Sequence, residues 1–131
     1  MTHLKGILLL LCILYFSSCV ATEWQQEIDP KEIYFTHSRI MKYFSCGRSV
    51  DHTIRQLLSG SLLVSEIPKI TVRFDGIYYY SENNRRLFVF KSLREKGVLN
   101  SIVVRIKDIP DTRRKKNKYS PEKYSLHARY K

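Results

Sequence analysis

Apolar positions along this chain switch between two periods, and the switches outline a fold. Thr22 to Pro30 is polar apart from Trp24 and Ile28, and reads as a short arm or first strand. Ile40 to Cys46 (IMKYFSC) alternates, with Ile40, Phe44 and Cys46 on one face and Met41 and Tyr43 on the other. That is the twofold period of a strand, and Gly47 ends it. From Val50 to Val64 (VDHTIRQLLSGSLLV) the period lengthens, and Ile54, Leu57, Leu58 and Leu62 share one helical stripe. Ser49 or Asp51 can cap the first turn by accepting an orphan backbone N–H, and Ser59-Gly60 weakens the end.

After Pro68 the twofold period returns. Ile70, Val72 and Phe74 alternate with Thr71 and Arg73, and Asp75-Gly76 is a two-residue hairpin signal because both residues tolerate positive φ. Ile77 to Tyr80 (IYYY) is the returning strand, Asn83-Asn84 a second turn, and Leu87 to Phe90 (LFVF) a third strand. Arg94 to Asn100 is a loop, and Ser101 to Lys107 is a fourth strand with Ile102, Val104 and Ile106 inward. The predicted fold is α+β: a single helix packed on one face of an antiparallel β-sheet.

The first twenty-one residues read as a targeting segment. Lys5 makes a short positive region, Ile7 to Phe16 is apolar throughout, and small residues follow up to Ala21. The apolar run is too short to cross a bilayer, which takes about 20 residues. The pattern is that of a secretory signal peptide cleaved after Ala21, with no stable membrane insertion afterwards. A second reading takes "FSSC" as a bacterial lipobox with Cys19 as the lipidated residue. Cleavage leaves Thr22 to Lys131, a length that suits one domain at 22–110 and a basic, mobile tail at 111–131.

Charge adds a partner class. The chain holds 23 Lys and Arg, of which Lys5 leaves with the signal, against 12 Asp and Glu, so the mature net charge is +10. Asp111 to Lys131 carries eight basic and two acidic residues and no apolar period. Such a chain is drawn to polyanions. Arg113, Arg114, Lys115, Lys116 and Lys118 are candidate phosphate contacts or a nuclear-localisation signal, or else a solvated charge run. Tyr78, Tyr79 and Tyr80 are candidates for base stacking, or else core and cross-strand pairs.

Cys46 is the only cysteine after signal cleavage, so no intramolecular disulfide can form. It is expected as a buried, unpaired thiol in a monomer, with a covalent dimer and a reactive thiol as alternatives. His37, His52 and His127 fall in no motif and have no ligand spacing, so neither metal nor cofactor is expected.

Phe44-Ser45-Cys46, the helix-forming "GRSVDHTIRQLL" that follows it, and the sheet segments "GIYYYSENNRRLFVF" and "NSIVVRIKD" resemble, over Ile40 to Asp108, the RNase-like candidate secreted effectors of powdery mildew fungi. The resemblance implies a microbial-RNase-like fold, with Phe44 and Cys46 as the family's aromatic-x-Cys motif. Family members often pair that cysteine with a second one near the C-terminus, which this chain lacks. Microbial RNases of this fold carry His, Glu, Arg and His on successive strands. Here Arg73 and Arg105 remain, and two arginines can hold a phosphate but cannot cycle a proton at neutral pH.

The leading expectation is therefore a non-enzymatic virulence protein, secreted and translocated into a plant cell. There it would bind host RNA or a host defence protein and suppress immunity. The alternatives are an active secreted ribonuclease and a bacterial lipoprotein anchored through Cys19.

Overall fold

The computed structural model describes residues 23–131, and the signal-peptide and lipobox readings fall outside them. In chain order the elements are β1 (Glu23–Ile28), β2 (Ile33–Tyr34), β3 (Arg39–Ile40), α1 (Val50–Ser59), β4 (Thr71–Phe74), β5 (Tyr79–Ser81), α2 (Asn84–Glu95), β6 (Ile102–Asp108), α3 (Arg113–Lys118) and β7 (Arg129–Tyr130). Single 3-10 turns occur at Pro30–Glu32 and Val64–Glu66.

Five strands form one sheet in the order β1-β6-β4-β5-β2, and β3 pairs with β7 in a small separate sheet. The fold is α+β as expected, but the sheet is mixed rather than antiparallel. β1 and β5 run antiparallel to β6 and β4, whereas β4–β6 and β2–β5 are parallel pairs. The parallel β4–β6 pair needs a crossover, and α2 supplies it.

That crossover helix is the main correction to the predicted elements. Leu87 to Phe90, expected as a strand after an Asn83-Asn84 turn, forms the middle of α2, with Asn83 as its N-cap. The reason is position. Leu87 and Phe90 pack on the sheet with Ile70, Val72, Val104 and Ile106. Val89 and Leu93, on another side of the same helix, pack on Val50, Ile54 and Leu57 of α1. A helix buried between a sheet and a second helix loses its polar stripe, and with it the helical period. The layers are therefore sheet, α2, α1, and α1 rests on α2.

Other segments follow the predicted pattern. Ser49 caps α1 by accepting from the His52 amide, and Gly60 closes it with φ +81°, a left-handed conformation that favours glycine. Ile102, Val104 and Ile106 of β6 are buried, while Val103 and Arg105 face solvent. Thr71–Phe74 and Tyr79–Ser81 form the expected hairpin, paired Phe74 to Tyr79, so its loop is four residues rather than two. Asp75 Oδ1 accepts from the amides of Ile77 and Tyr78 at 2.8 and 2.6 Å, and Oδ2 accepts from the Tyr80 hydroxyl at 2.8 Å.

The segment 111–131, expected as a mobile tail with nothing to bury, folds back over the domain. Phe35 and Ser125 exchange both backbone hydrogen bonds, at 2.7 and 3.3 Å. β7 pairs with β3, setting Arg39 against Arg129 and Ile40 against Tyr130. The Tyr119 and Tyr124 rings lie 5.5 and 5.7 Å from that of Tyr80, and Tyr130 lies 5.1 Å from Phe88. Lys91 on α2 donates to the Leu126 carbonyl at 2.8 Å. Aromatic side chains, which follow no helical or strand period here, supply the apolar surface that holds this segment.

Candidate functional site

The strand expected over Ile40 to Cys46 ends at Ile40, and the chain then turns back on itself before α1. The Phe44 amide donates to the Arg48 carbonyl at 2.8 Å, the Gly47 amide to Phe44 at 2.9 Å, and the Val50 amide to Lys42 at 2.9 Å. Gly47 sits at φ +88°, the left-handed conformation that lets so tight a loop close. Met41 and Tyr43 are both 58% exposed on this loop, and Phe44 is half-buried beneath it. Cys46, expected to be buried, is an exposed free thiol, because the loop lifts it away from the core.

Arg85, in the first turn of α2, ties the loop down. Its guanidinium donates to the Tyr43 carbonyl at 2.7 Å and to Ser45 Oγ at 3.3 Å. Its neighbour Arg86 donates to the Lys69 carbonyl at 3.1 Å on the other side. Between the loop, the first turn of α2 and the last residue of the chain lies a cleft of about 880 Å³. Ile40, Phe44, Leu62 and Ile67 make its apolar surface.

The charge of the cleft is one-sided. Arg39, Arg48, Arg85, Arg86 and Lys131 line it, against Glu66 and Glu82. Glu82 is paired with Arg73 at 2.6 Å, whereas Glu66 accepts from the Leu63 amide at 2.9 Å and, among the described residues, enters no ion pair. Among the described residues, Arg39, Arg48 and Lys131 enter no ion pair. No side chain caps the start of α2 either, because Asn83 Oδ1 accepts from the Thr71 amide and Asn84 Oδ1 from the Thr36 amide. The positive end of the α2 dipole therefore adds to the cations around it. An arrangement of this kind can hold a phosphate or carboxylate and place an apolar group against the cleft surface.

The residues singled out from sequence divide among five places. Phe44 and Cys46 line the cleft. Arg73 is spent on Glu82 and on the Asp108 carbonyl, 3.0 Å away. Arg105 is exposed on the sheet face away from α2, registered between Gln25 and Thr71. Arg113, Arg114, Lys115, Lys116 and Lys118 are exposed on α3, where Lys116 meets Asp111 at 2.6 Å. The tyrosines are mostly unavailable for stacking. Tyr80 has 0% exposure under Tyr119 and Tyr124, and Tyr79 stacks on Phe74 at 4.6 Å. Tyr78 alone of the three is exposed, edge-on to Tyr34 at 5.7 Å.

Burial pushes the Tyr80 hydroxyl well above its ordinary pKa, and the Asp75 carboxylate reinforces the shift. Tyr130 is raised the same way, by burial and by Asp51, which its hydroxyl contacts at 2.5 Å. Burial pulls the Lys91 amine down to about 8, against the attraction of Asp29.

Sequence reasoning missed the five cations of the cleft. Arg85 and Arg86 follow a signal that reads as a turn: Asn83-Asn84 before an apolar run is also a helix N-cap pattern. Arg39, Arg48 and Lys131 carried none, because only the β3–β7 pairing brings residue 131 beside residues 39 and 48. His37 lines the same cleft, His127 lies beside Arg39 and Ser38 in a smaller depression, and His52 is exposed at the start of α1.

No group of three His, Cys, Asp or Glu side chains placed to hold a metal ion occurs among the described residues, and no helix among them is long and apolar enough to cross a membrane. No protein-family model matches the chain, and no curated protein matches it.

Proposed function

We propose that this protein is a secreted, non-catalytic effector that binds RNA, and that the cleft beside α2 is where it takes the phosphate backbone. One observation carries the reading: five basic side chains line the cleft against two carboxylates, one of which, Glu82, is already paired with Arg73, while among the described residues Arg39 and Arg48 enter no ion pair. Unpaired cations held together repel one another, and a polyanion relieves that repulsion while releasing its own counterions. Tyr43 and Met41, exposed at the rim, offer an apolar face for an unstacked base, as aromatic platforms do in single-strand binders. The partly microbial-RNase-like sequence pattern is compatible with this role.

The test is fluorescence anisotropy with a labelled single-stranded RNA at low salt. Arg39→Ala/Arg48→Ala should weaken binding more than Arg105→Ala/Lys107→Ala on the outer sheet face. Full-length RNA should be recovered afterwards. Cyclic-phosphate ends lost in His37→Ala would instead make it a ribonuclease, and absence of binding would leave a protein as the partner.

A further inference from the structure

The chain contains two paired arginines, Arg85-Arg86 and Arg113-Arg114, in opposite settings. Arg85 and Arg86 open a 12-residue helix that buries Leu87, Val89, Phe90 and Leu93, and both guanidiniums are hydrogen-bonded to backbone carbonyls. Arg113 and Arg114 open a six-residue helix with no buried residue, and every position from Asp111 to Lys118 is exposed. A helix that short is marginal without packing, since isolated helices need about 12–15 residues to persist in water. What holds α3 is the Thr112 cap, whose Oγ1 accepts from the Lys115 amide at 3.2 Å, the exposed Lys116–Asp111 pair, and the Lys123 ammonium donating to the Asn117 carbonyl.

We propose that α3 is a limited-proteolysis site for an endoprotease specific for paired basic residues. Such an enzyme reads two adjacent cations in extended backbone, and α3 can open to that form without disturbing the core. Water adds across the Arg114–Lys115 peptide bond, leaving a carboxylate on Arg114 and an amine on Lys115. The cut chain stays assembled. Everything C-terminal to the cut remains docked through the Phe35–Ser125 exchange, the β3–β7 pairing, the Lys91–Leu126 hydrogen bond and the tyrosines on Tyr80. Because Lys131 lines the cleft, cutting places one of its basic residues on a separate, exchangeable peptide. This site is independent of what the cleft binds.

The experiment treats the purified folded protein with a subtilisin-type paired-basic endoprotease and follows products by intact mass. The expected first product is a single cut between Arg114 and Lys115, with both fragments co-eluting on gel filtration and separating only in denaturant. Arg114→Ala, which touches no core residue, should slow that cut at least tenfold, while Arg86→Ala should leave its rate unchanged. A first cut after Arg86 would overturn the proposal. So would an intact chain under conditions that cleave an unstructured peptide spanning residues 109–121, and fragments that part on gel filtration would refute the docked state.

Discussion

Arg85 reaches from the first turn of α2 to the Tyr43 carbonyl at 2.7 Å, and so fixes the loop that carries Phe44 and Cys46 to the helix whose start opens into the cleft. Sequence separation between the two residues is large, and a single planar guanidinium bridges it. Arg85→Ala should cost about 1 kcal/mol, the low end for a hydrogen bond from a charged donor, because both acceptors lie on an exposed loop. Hydrogen exchange across residues 41–48 should rise together with the loss. Arg85→Lys keeps the charge but not the fork that reaches Tyr43 and Ser45 together, so it should recover only part of the protection.

Removing residues 111–131 should do far more damage than a mobile tail would allow. It uncovers Tyr80, deletes β7 and breaks the Lys91–Leu126 and Phe35–Ser125 hydrogen bonds. Several half-buried aromatics and as many hydrogen bonds sum to on the order of 5 kcal/mol, comparable to the whole stability of a small domain. Thermal unfolding of the truncated chain by circular dichroism should lose its cooperative transition. A truncated chain that melts as sharply as the full one would show that the segment is only draped on the surface.

Cys46 gives a contrasting expectation. The thiol is exposed, so Cys46→Ala leaves no cavity and should change stability by less than about 0.5 kcal/mol. In the native protein the thiol should react completely with a small aromatic disulfide reagent, at a rate unchanged by denaturant.

Lys91 sets a pH dependence. Its folded-state pKa is about 8, pulled down from 10.5 by burial, so the folded state releases the proton before the unfolded state does. The unfolded chain then binds more protons between pH 8 and 10.5, and this group's contribution to stability rises with pH across that window. Tyr80 and Tyr130, raised above 10, oppose the trend as pH passes 10, so pH 9.5 is the place to look. Urea unfolding at pH 7 and 9.5 should show the native protein gaining about 1 kcal/mol relative to Lys91→Met, after discounting for the partial exposure of the amine. An equal difference at both pH values would mean that Lys91 titrates normally.

How much of this was legible in the sequence depended on one-sided burial. β6 was readable because Ile102, Val104 and Ile106 face the core while Val103 and Arg105 face water. α1 was readable because only one side of it meets α2. α2 was not, since Leu87 and Phe90 pack on the sheet while Val89 packs on α1, and a run of four apolar residues fits strand and helix alike. The C-terminal segment escaped because Tyr119, Tyr124 and Tyr130 anchor it one at a time. Part of the cleft escaped with it, since Lys131, which lines the cleft, belongs to that segment. Phe44-Ser45-Cys46, singled out from sequence as a motif with a buried cysteine, lines the cleft with its thiol exposed.

The salt dependence of RNA affinity tests the account most directly. Each phosphate neutralised on a single strand contributes roughly −0.7 to the slope of log K against log salt. If Arg39 and Arg48 each meet a phosphate, Arg39→Ala/Arg48→Ala should flatten the slope by about 1.4 and weaken binding at every salt concentration. An unchanged slope in that variant, with the loss appearing instead when Arg113, Arg114, Lys115 and Lys116 are replaced by Ala, would move RNA from the cleft to α3 and contradict the account.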